Sequence, residues 1–288
     1  MDYLKYTCKK SPNTLLAYGR DIEAFEEYLK ERGEQSLSDC LENDAISYIL
    51  SLNKSGRSKA TINRKISSLR SYYAYEKMNG KRDDNPFDKI KAAKSDKREI
   101  DFLSVEEVFA LMETPDDSFK GLRDRALLEF MYGTGVRVTE VVRLKFSDMN
   151  LKMNFVTCKD AEGESRVVPI GSYAHDALKN YIEKAYAALK GSDPEADDYV
   201  FINFRGEPLT RQGIWKILKE YGDKIGEKDR MTPQILRNSF AVHILQNGGD
   251  LKTLQELMGF EDMSVGIAYL AVTNIRIKDV FNRTHPRA

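Results

Sequence analysis

Four residues in the C-terminal two thirds of the chain have side chains that could act on a phosphate. Arg137 follows the glycine turn of "YGTGVR", and Arg237 lies in "TPQILRNSF". Both segments predict a helix start. At Arg137 the guanidinium and the positive end of the helix dipole would attract the same phosphate. Lys159 lies at the tip of a predicted hairpin, and Tyr269 lies in "GIAYLAV". Taken singly each residue is weak evidence, because a helical arginine more often forms a surface ion pair.

The elements that precede these residues are three predicted amphipathic helices. The first is capped by Ser11, has Pro12 in its first turn and ends at Gly33. The second covers roughly residues 38–53, and the third begins in "SKATINRK". Apolar residues recur at helical spacing on their inward faces: Leu15, Tyr18, Ile22, Phe25 and Leu29 in the first helix, and Ile62, Ile66, Leu69 and Tyr73 in the third.

The elements around the four residues are mainly helical with one small β-hairpin. Ser104 and Glu107 have capping-box spacing at one helix start, and another helix runs through Tyr132 to a glycine turn. Residues 155–158 and 166–170 are short β-type runs around a polar turn. Asn85-Pro86 and the charged residues after it predict a connector. We therefore predict two domains, residues 1–97 and residues 98–288.

Charge is distributed unevenly along the chain. The 288 residues have zero net charge, but residues 54–98 carry 14 Lys and Arg against 5 Asp and Glu, a local balance of +9. A basic surface of this kind attracts the phosphate backbone of DNA. The alternative is a solvated helix face.

Three scattered cysteines without metal-site spacing predict no metal. No apolar run predicts a membrane span or a signal peptide, so a cytoplasmic location is expected.

Beyond these patterns, the chain resembles the tyrosine recombinases of the phage-integrase class, Xer recombinases in particular. The resemblance lies in "LRDRALLEFMYGTGVRVTEVVRLKFSDMN", in "CKDAEGESRVVPIG" and in the segment from "TPQILRNSF" to "GIAYLAV". The N-terminal segments "SPNTLLAYGRDIEAFEEYL" and "SKATINRKISSLRSYYAYE" are similar to the family's helical core-binding domain. The resemblance implies a mainly α fold, with an N-terminal SAM-like domain and a C-terminal α+β catalytic domain that contains a small β-hairpin sheet.

The resemblance also implies roles for individual residues. Tyr269 would attack a DNA phosphodiester, Arg137 and Arg237 would hold its oxygens, Lys159 would protonate the leaving oxygen, and Glu140 would support Arg137. The family needs no metal or other cofactor. The implied partner is double-stranded DNA, bound by a homo- or hetero-tetramer on paired sites, with the segment after Tyr269 docking on a neighbour. Lys59, Arg64 and Lys65 of the third helix would contact the DNA backbone.

Two catalytic positions depart from the family pattern. Gln234 stands where histidine is usual, and Phe260 stands where histidine or tryptophan is usual. Glutamine has no titratable proton, and a phenyl ring donates no hydrogen bond. Asn238, directly after Arg237, also replaces a common histidine, which we take as minor. Two hypotheses follow: a recombinase, active or attenuated, or a DNA-binding protein of this fold with an architectural or regulatory role.

Overall fold

The computed structural model describes residues 12–33, 36–93, 100–160, 163–190 and 198–273. The chain divides into two compact units, Met1–Arg98 and Glu99–Ala288. We describe each unit by itself.

The N-terminal unit contains three helices. They are α1 (Pro12–Glu31), α2 (Glu42–Lys54) and α3 (Lys59–Met78). The inward residues Phe25 and Leu29 of α1 are fully buried, as are Leu69 and Tyr73 of α3, which confirms the predicted helical faces. The second helix starts later than predicted, because Ser36 caps a separate 3-10 turn at Leu37–Asp39. The predicted cap Ser11 lies outside the described residues.

The C-terminal unit is built from nine helices and one sheet in the part of the chain that is described. The helices are α4 (Val105–Glu113), α5 (Phe119–Thr134), α6 (Val138–Arg143), α7 (Ser172–Tyr181), α8 (Ala187–Lys190), α9 (Arg211–Lys224), α10 (Pro233–Gln246), α11 (Leu251–Met258) and α12 (Met263–Leu270). A π-helical turn, Ile182–Tyr186, joins α7 to α8. The predicted capping box is present, since Ser104 Oγ accepts from Glu107 N and Glu107 Oε2 accepts from Ser104 N.

The sheet has three antiparallel strands in the order β1 (Met149–Asn150), β2 (Phe155–Lys159) and β3 (Ser165–Pro169). The predicted hairpin is β2 and β3, in which Cys158 pairs with Arg166. Val156 and Cys158 on β2 and Val168 on β3 are buried, so one face of the sheet packs on the core. The two-residue strand β1 was not predicted, because it is too short to show alternation.

Helix α10 lies in the interior of its unit. Eleven of its fourteen residues are buried. Leu236 belongs to the core that includes α5 and α7, and Phe240 and Leu245 belong to the cluster that also contains Phe260 and Tyr269. The polar side chains at its buried positions, such as Arg237 and Asn238, therefore point into protein rather than solvent and must find hydrogen-bond partners there. The overall architecture confirms the predicted mainly α fold with a small sheet. In the described ranges, none of the helices is both long and apolar enough to cross a membrane.

Candidate active site

The turn between α5 and α6 places Arg137 at a helix start, as predicted. Gly135 has φ +59° and ends α5, a left-handed conformation that disfavours side chains. Arg137 is the N-cap of α6, and its backbone N–H donates to Glu140 Oε2 at 2.6 Å. Its guanidinium also donates to Glu140 Oε1 at 3.3 Å. The sequence motif thus fixes the arginine and its carboxylate within one helical turn.

Glu140 is a buried carboxylate that two arginines share. Arg166 of β3 donates to both of its oxygens, at 2.5 and 2.9 Å, in a bidentate pair. Burial alone would raise the pKa of Glu140, but hydrogen bonds from Arg166 and from the Arg137 backbone, with the charges of both arginines, hold it below its usual value. The carboxylate therefore stays ionised and anchors both cations. Sequence reasoning missed Arg166 as a part of this site.

The C-terminal end of α11 binds three arginines through three consecutive carbonyls. Arg166 Nε donates to Leu257 O at 2.7 Å, Arg237 donates to Met258 O at 2.6 Å, and Arg137 donates to Gly259 O at 2.6 Å. The last carbonyls of a helix lack partners within it and carry the negative end of its dipole. Cationic side chains are therefore stabilised at this end of the helix.

Gly259 makes this arrangement possible. It ends α11 with φ +61°, and a Cβ there would lie 2.9 Å from Arg166 Cδ. Any larger residue would be strained in its backbone and would displace the Arg166 side chain. The glycine therefore lets the guanidinium groups approach the helix end closely.

Arg237 is almost entirely enclosed. Besides Met258 O, it donates to Gly135 O. Burial, with the nearby charge of Arg137, lowers the pKa of Arg237 to about 10. The guanidinium of Arg237 is still protonated at neutral pH. The positive charges of Arg237 and Arg137 therefore lie near each other and are only partly compensated by the carboxylate of Glu140. Such a cluster favours an anionic group that binds between them.

Tyr269 of α12 is buried near the same two arginines. Burial raises the pKa of its hydroxyl, while the charges of Arg237 and Arg137 oppose that rise. The hydroxyl donates to Asn238 Oδ1 at 3.1 Å. Gln234 Nε2 donates to the same oxygen at 2.8 Å. The structure thus links Tyr269 to Gln234 through Asn238, a residue that the sequence interpretation had taken as minor.

Lys159 lies at the exposed end of β2. Its ammonium pairs with Asp148 Oδ1 at 2.7 Å, and 60% of its side chain is exposed while only 11% of the Asp148 side chain is. Lys159 and Glu140 both line an open cavity of about 420 Å³. A second cavity of about 500 Å³ is lined by Arg137, Glu140 and Phe260. The lysine is therefore the most exposed cation of the site, whereas the arginines are bound to the carbonyls at the end of α11.

Phe260 packs as an apolar side chain next to the site. It belongs to the buried cluster with Phe240, Met258 and Tyr269, and its ring lies close to α12, since a Cβ at Gly266 would be 3.2 Å from it. It offers no hydrogen bond to a bound phosphate. The structure therefore brings Arg137, Glu140, Arg237, Phe260 and Tyr269 together, with Gln234 exposed at one edge.

The N-terminal residues predicted to contact DNA have partners within their own unit. Asp21 of α1 is buried and accepts from Arg64, Lys65 and Ser68 of α3. Only 12% of the Lys65 side chain is exposed, against 43% of that of Arg64. Lys59, at the start of α3, is exposed. Across the described residues, no group of three or more His, Cys, Asp and Glu side chains could hold a metal ion.

Comparison with known proteins shows the family of the chain. The profile described as "Phage integrase family" matches residues 101–276, and that described as "Phage integrase, N-terminal SAM-like domain" matches residues 1–80. The chain therefore belongs to the phage integrase family. Its full-length relatives identify it more narrowly as a site-specific tyrosine recombinase, the class that the resemblance predicted. Tyrosine recombinase XerD of Listeria innocua is 39% identical over 280 residues, which cover 96% of this chain and 94% of that protein.

Other matches agree. A protein of Caldanaerobacter subterraneus is 43% identical over 290 residues, covering 100% of this chain and 97% of its own. The XerH site-specific recombinase in a post-cleavage complex with palindromic difH substrate has a TM-score of 0.76 at 20% identity, over 92% of this chain and 78% of that one. The Tn1549 transposon integrase with transposon right end DNA also scores 0.76, at 19% identity over 98% and 97%. These two structures show the same fold.

Proposed function

We propose that this recombinase cleaves and rejoins double-stranded DNA through a 3′-phosphotyrosyl intermediate on Tyr269. The phenolic oxygen forms a bond to the phosphorus, the bond from phosphorus to the 5′-oxygen breaks, and the phenolic proton leaves. A released 5′-hydroxyl then attacks the phosphotyrosine. The bond from phosphorus to the phenolic oxygen breaks, the hydroxyl loses its proton and the tyrosine regains one. The observation that carries this proposal is the convergence of Tyr269 with the buried Arg237 and the partly exposed Arg137.

The arginines would bind the nonbridging oxygens of the phosphate. Arg237 and Arg137 are fixed on carbonyls of the α11 end, so little reorganisation is needed when charge develops on those oxygens. The lowered pKa of Arg237 supports the proposal, because a bound phosphate would relieve the repulsion between the two cations. Glu140 and Arg166 would keep Arg137 in place without contacting DNA.

Lys159 would donate a proton to the leaving 5′-oxygen. An ammonium on a flexible stem can give up a proton, which a guanidinium cannot do at neutral pH. Its pairing with Asp148 leaves the side chain largely exposed, so it can exchange that carboxylate for the substrate. Gln234 and Phe260 would lower the rate of cleavage without removing the nucleophile. None of the described contacts favours the alternative of a DNA-binding protein without cleavage.

The two units would act as separate domains on DNA, residues 1–97 as the core-binding domain and residues 98–288 as the catalytic domain. We propose a homo- or hetero-tetramer on paired sites in the cytoplasm. The recombinase structures described above that contain DNA support DNA as the partner. In the N-terminal unit Lys59, which is exposed at the start of α3, would contact a phosphate. Lys65 would contribute less, because only 12% of its side chain is exposed, and Arg64 would contribute an intermediate amount at 43%. The segment after Tyr269 is proposed to dock on a neighbour, and its residues beyond 273 lie outside the described residues.

Capture of a covalent adduct tests the proposal. Sheared genomic DNA of the source organism is incubated with the full chain, and protein–DNA adducts are precipitated with dodecyl sulfate and potassium. The retrieved sequences define a site, which is then made as a nicked duplex that traps the intermediate. We expect an adduct with the parent protein and none with Tyr269→Phe. DNA binding with no adduct from either protein would contradict the proposal.

The backbone contact is tested by salt dependence of binding to the same duplex. Replacing one phosphate contact reduces the slope of log affinity against log salt by about 1. We expect this change for Lys59→Ala and a smaller one for Lys65→Ala, which is the matched control. Equal slopes for Lys59→Ala and the parent would exclude Lys59 as a contact.

A further inference from the structure

Asn238 has an oriented side-chain amide in the centre of the site. It lies one residue after Arg237 on α10 and is 8% exposed. Its Nδ2 donates to the backbone carbonyl of Asp101 at 2.8 Å. This bond fixes which end of the amide faces the site, because the carbonyl of Asp101 can only accept. The oxygen of Asn238 therefore points toward α12.

The Asn238 oxygen accepts two hydrogen bonds, from the Tyr269 hydroxyl at 3.1 Å and from Gln234 Nε2 at 2.8 Å. Two donors match the two lone pairs of an amide oxygen. We propose that Asn238 is a positioning residue that holds the hydroxyl of Tyr269 in place for attack. This inference rests on the proposed function of Tyr269 as the nucleophile.

Gln234 supports this arrangement from the helix edge. It is exposed, and its amide N–H is used by Asn238 rather than by the tyrosine. The two residues stand one turn apart on α10, a spacing that places them on the same face. Gln234 therefore acts on Tyr269 through Asn238, and the contact with the nucleophile itself belongs to Asn238.

Asn238 positions the hydroxyl but does not activate it. An amide oxygen accepts a hydrogen bond without taking up the proton, so the phenolic proton must leave to solvent water when the bond to phosphorus forms. The benefit is orientation: a buried phenol with one fixed acceptor samples fewer positions, and the reacting oxygen stays near Arg237. Loss of one such hydrogen bond should slow cleavage about tenfold.

Two substitutions separate this role from a purely structural one. Asn238→Leu and Asn238→Asp both lose the donor to the Asp101 carbonyl, but only aspartate keeps an oxygen for the hydroxyl. Single-turnover adduct formation is measured on the trapping duplex across a range of protein concentrations. We expect Asn238→Leu to be about tenfold slower at saturation with unchanged half-saturation, and Asn238→Asp to remain within about threefold of the parent. Equal slowing by both variants, or a Leu variant within twofold of the parent, would overturn the proposal.

A second measurement does not depend on activity. The free energy of unfolding in urea is measured for Asn238→Ala, Tyr269→Phe and the double variant. A hydrogen bond between the two side chains predicts that the double variant loses less free energy of unfolding than the sum of the two single losses. If Asn238→Leu fails to fold, Asn238→Ala takes its place in the rate assay. Additive shifts would overturn the contact. If the parent protein formed no covalent adduct but the changes in unfolding free energy were non-additive, the contact between Asn238 and Tyr269 would stand and only the proposed function would be contradicted.

Discussion

Replacing Glu140 with glutamine should destabilise the C-terminal unit strongly. Glu140 is 5% exposed, and its carboxylate accepts two hydrogen bonds from Arg166 and two from Arg137. Glutamine keeps the size but removes the charge and turns one acceptor into a donor that faces cations. Breaking a buried ion pair by removing one partner costs about 3–5 kcal/mol. For a unit of this size the unfolding temperature should fall by about 10 °C.

The matched control is Glu129→Gln. Glu129 lies half-buried on α5, and burial raises its pKa, opposed only by the charge of Arg125. Removing that charge relieves a desolvation cost, so the variant should be as stable as the parent or more stable. Both variants are compared by thermal and urea unfolding of the full chain, followed by a probe of the C-terminal unit such as fluorescence of Trp215. A loss below about 1 kcal/mol in Glu140→Gln would refute the reasoning, because that is the size of an exposed pair.

The two carboxylates also predict opposite contributions to the pH dependence of stability. The folded-state pKa of Glu140 is lowered, so its contribution is present above the unfolded-state pKa and is lost as pH falls through the lower, folded value. The folded-state pKa of Glu129 is raised, so its ionisation costs stability. This stability is recovered as pH falls through the raised, folded-state pKa toward the unfolded-state pKa. Glu140→Gln should therefore reduce the acid sensitivity of unfolding and Glu129→Gln should increase it.

Three further predictions concern catalysis and the backbone. Gln234→His restores a titratable group, but position 234 contacts Asn238 rather than Tyr269, so the rate of adduct formation on the trapping duplex should stay within about tenfold of the parent; a rise of about 10²-fold would show that a base acts directly from this position. Lys159→Ala should slow cleavage of ordinary DNA about 10²–10⁴-fold but not of DNA with sulfur as the bridging 5′ atom, since a thiolate leaves without a proton; equal slowing of both substrates would exclude an acid role. Gly135→Ala should lower the urea midpoint through its positive φ and the overlap of the new Cβ with the Phe240 ring, whereas Gly163→Ala, also at positive φ but in open space, should cost less.

Most elements around the site could be predicted from sequence because they obey local rules. The cap at Ser104 and the apolar spacing of α3 are short-range signals, and the structure confirms them. Arg166 could have been recognised as a site residue, because it lies two residues before Val168 and therefore on the same, buried face of the strand, where a cation must be paired. Its partner Glu140 is 26 residues away, however, and no local pattern indicates that distance.

The same reasoning applies to the basic residues of α3. Asp21 lies four residues before Phe25, on the inward face of α1, so its burial and its need for cations could have been inferred. The choice of Arg64 and Lys65 as partners depends on how α1 packs on α3, 43 residues away in the case of Arg64. Composition therefore indicated a basic surface but could not show which of its charges are already neutralised.

The end of α11 gives the site a common mechanical support. Carbonyls at residues 257, 258 and 259 fix three guanidinium groups, and the chain then needs only ten residues to reach Tyr269. A displacement of this one turn would move all three cations together and carry the nucleophile with them. The three arginines and Tyr269 should therefore change position together rather than one at a time. Residues 257–269 should tolerate neither insertion nor deletion.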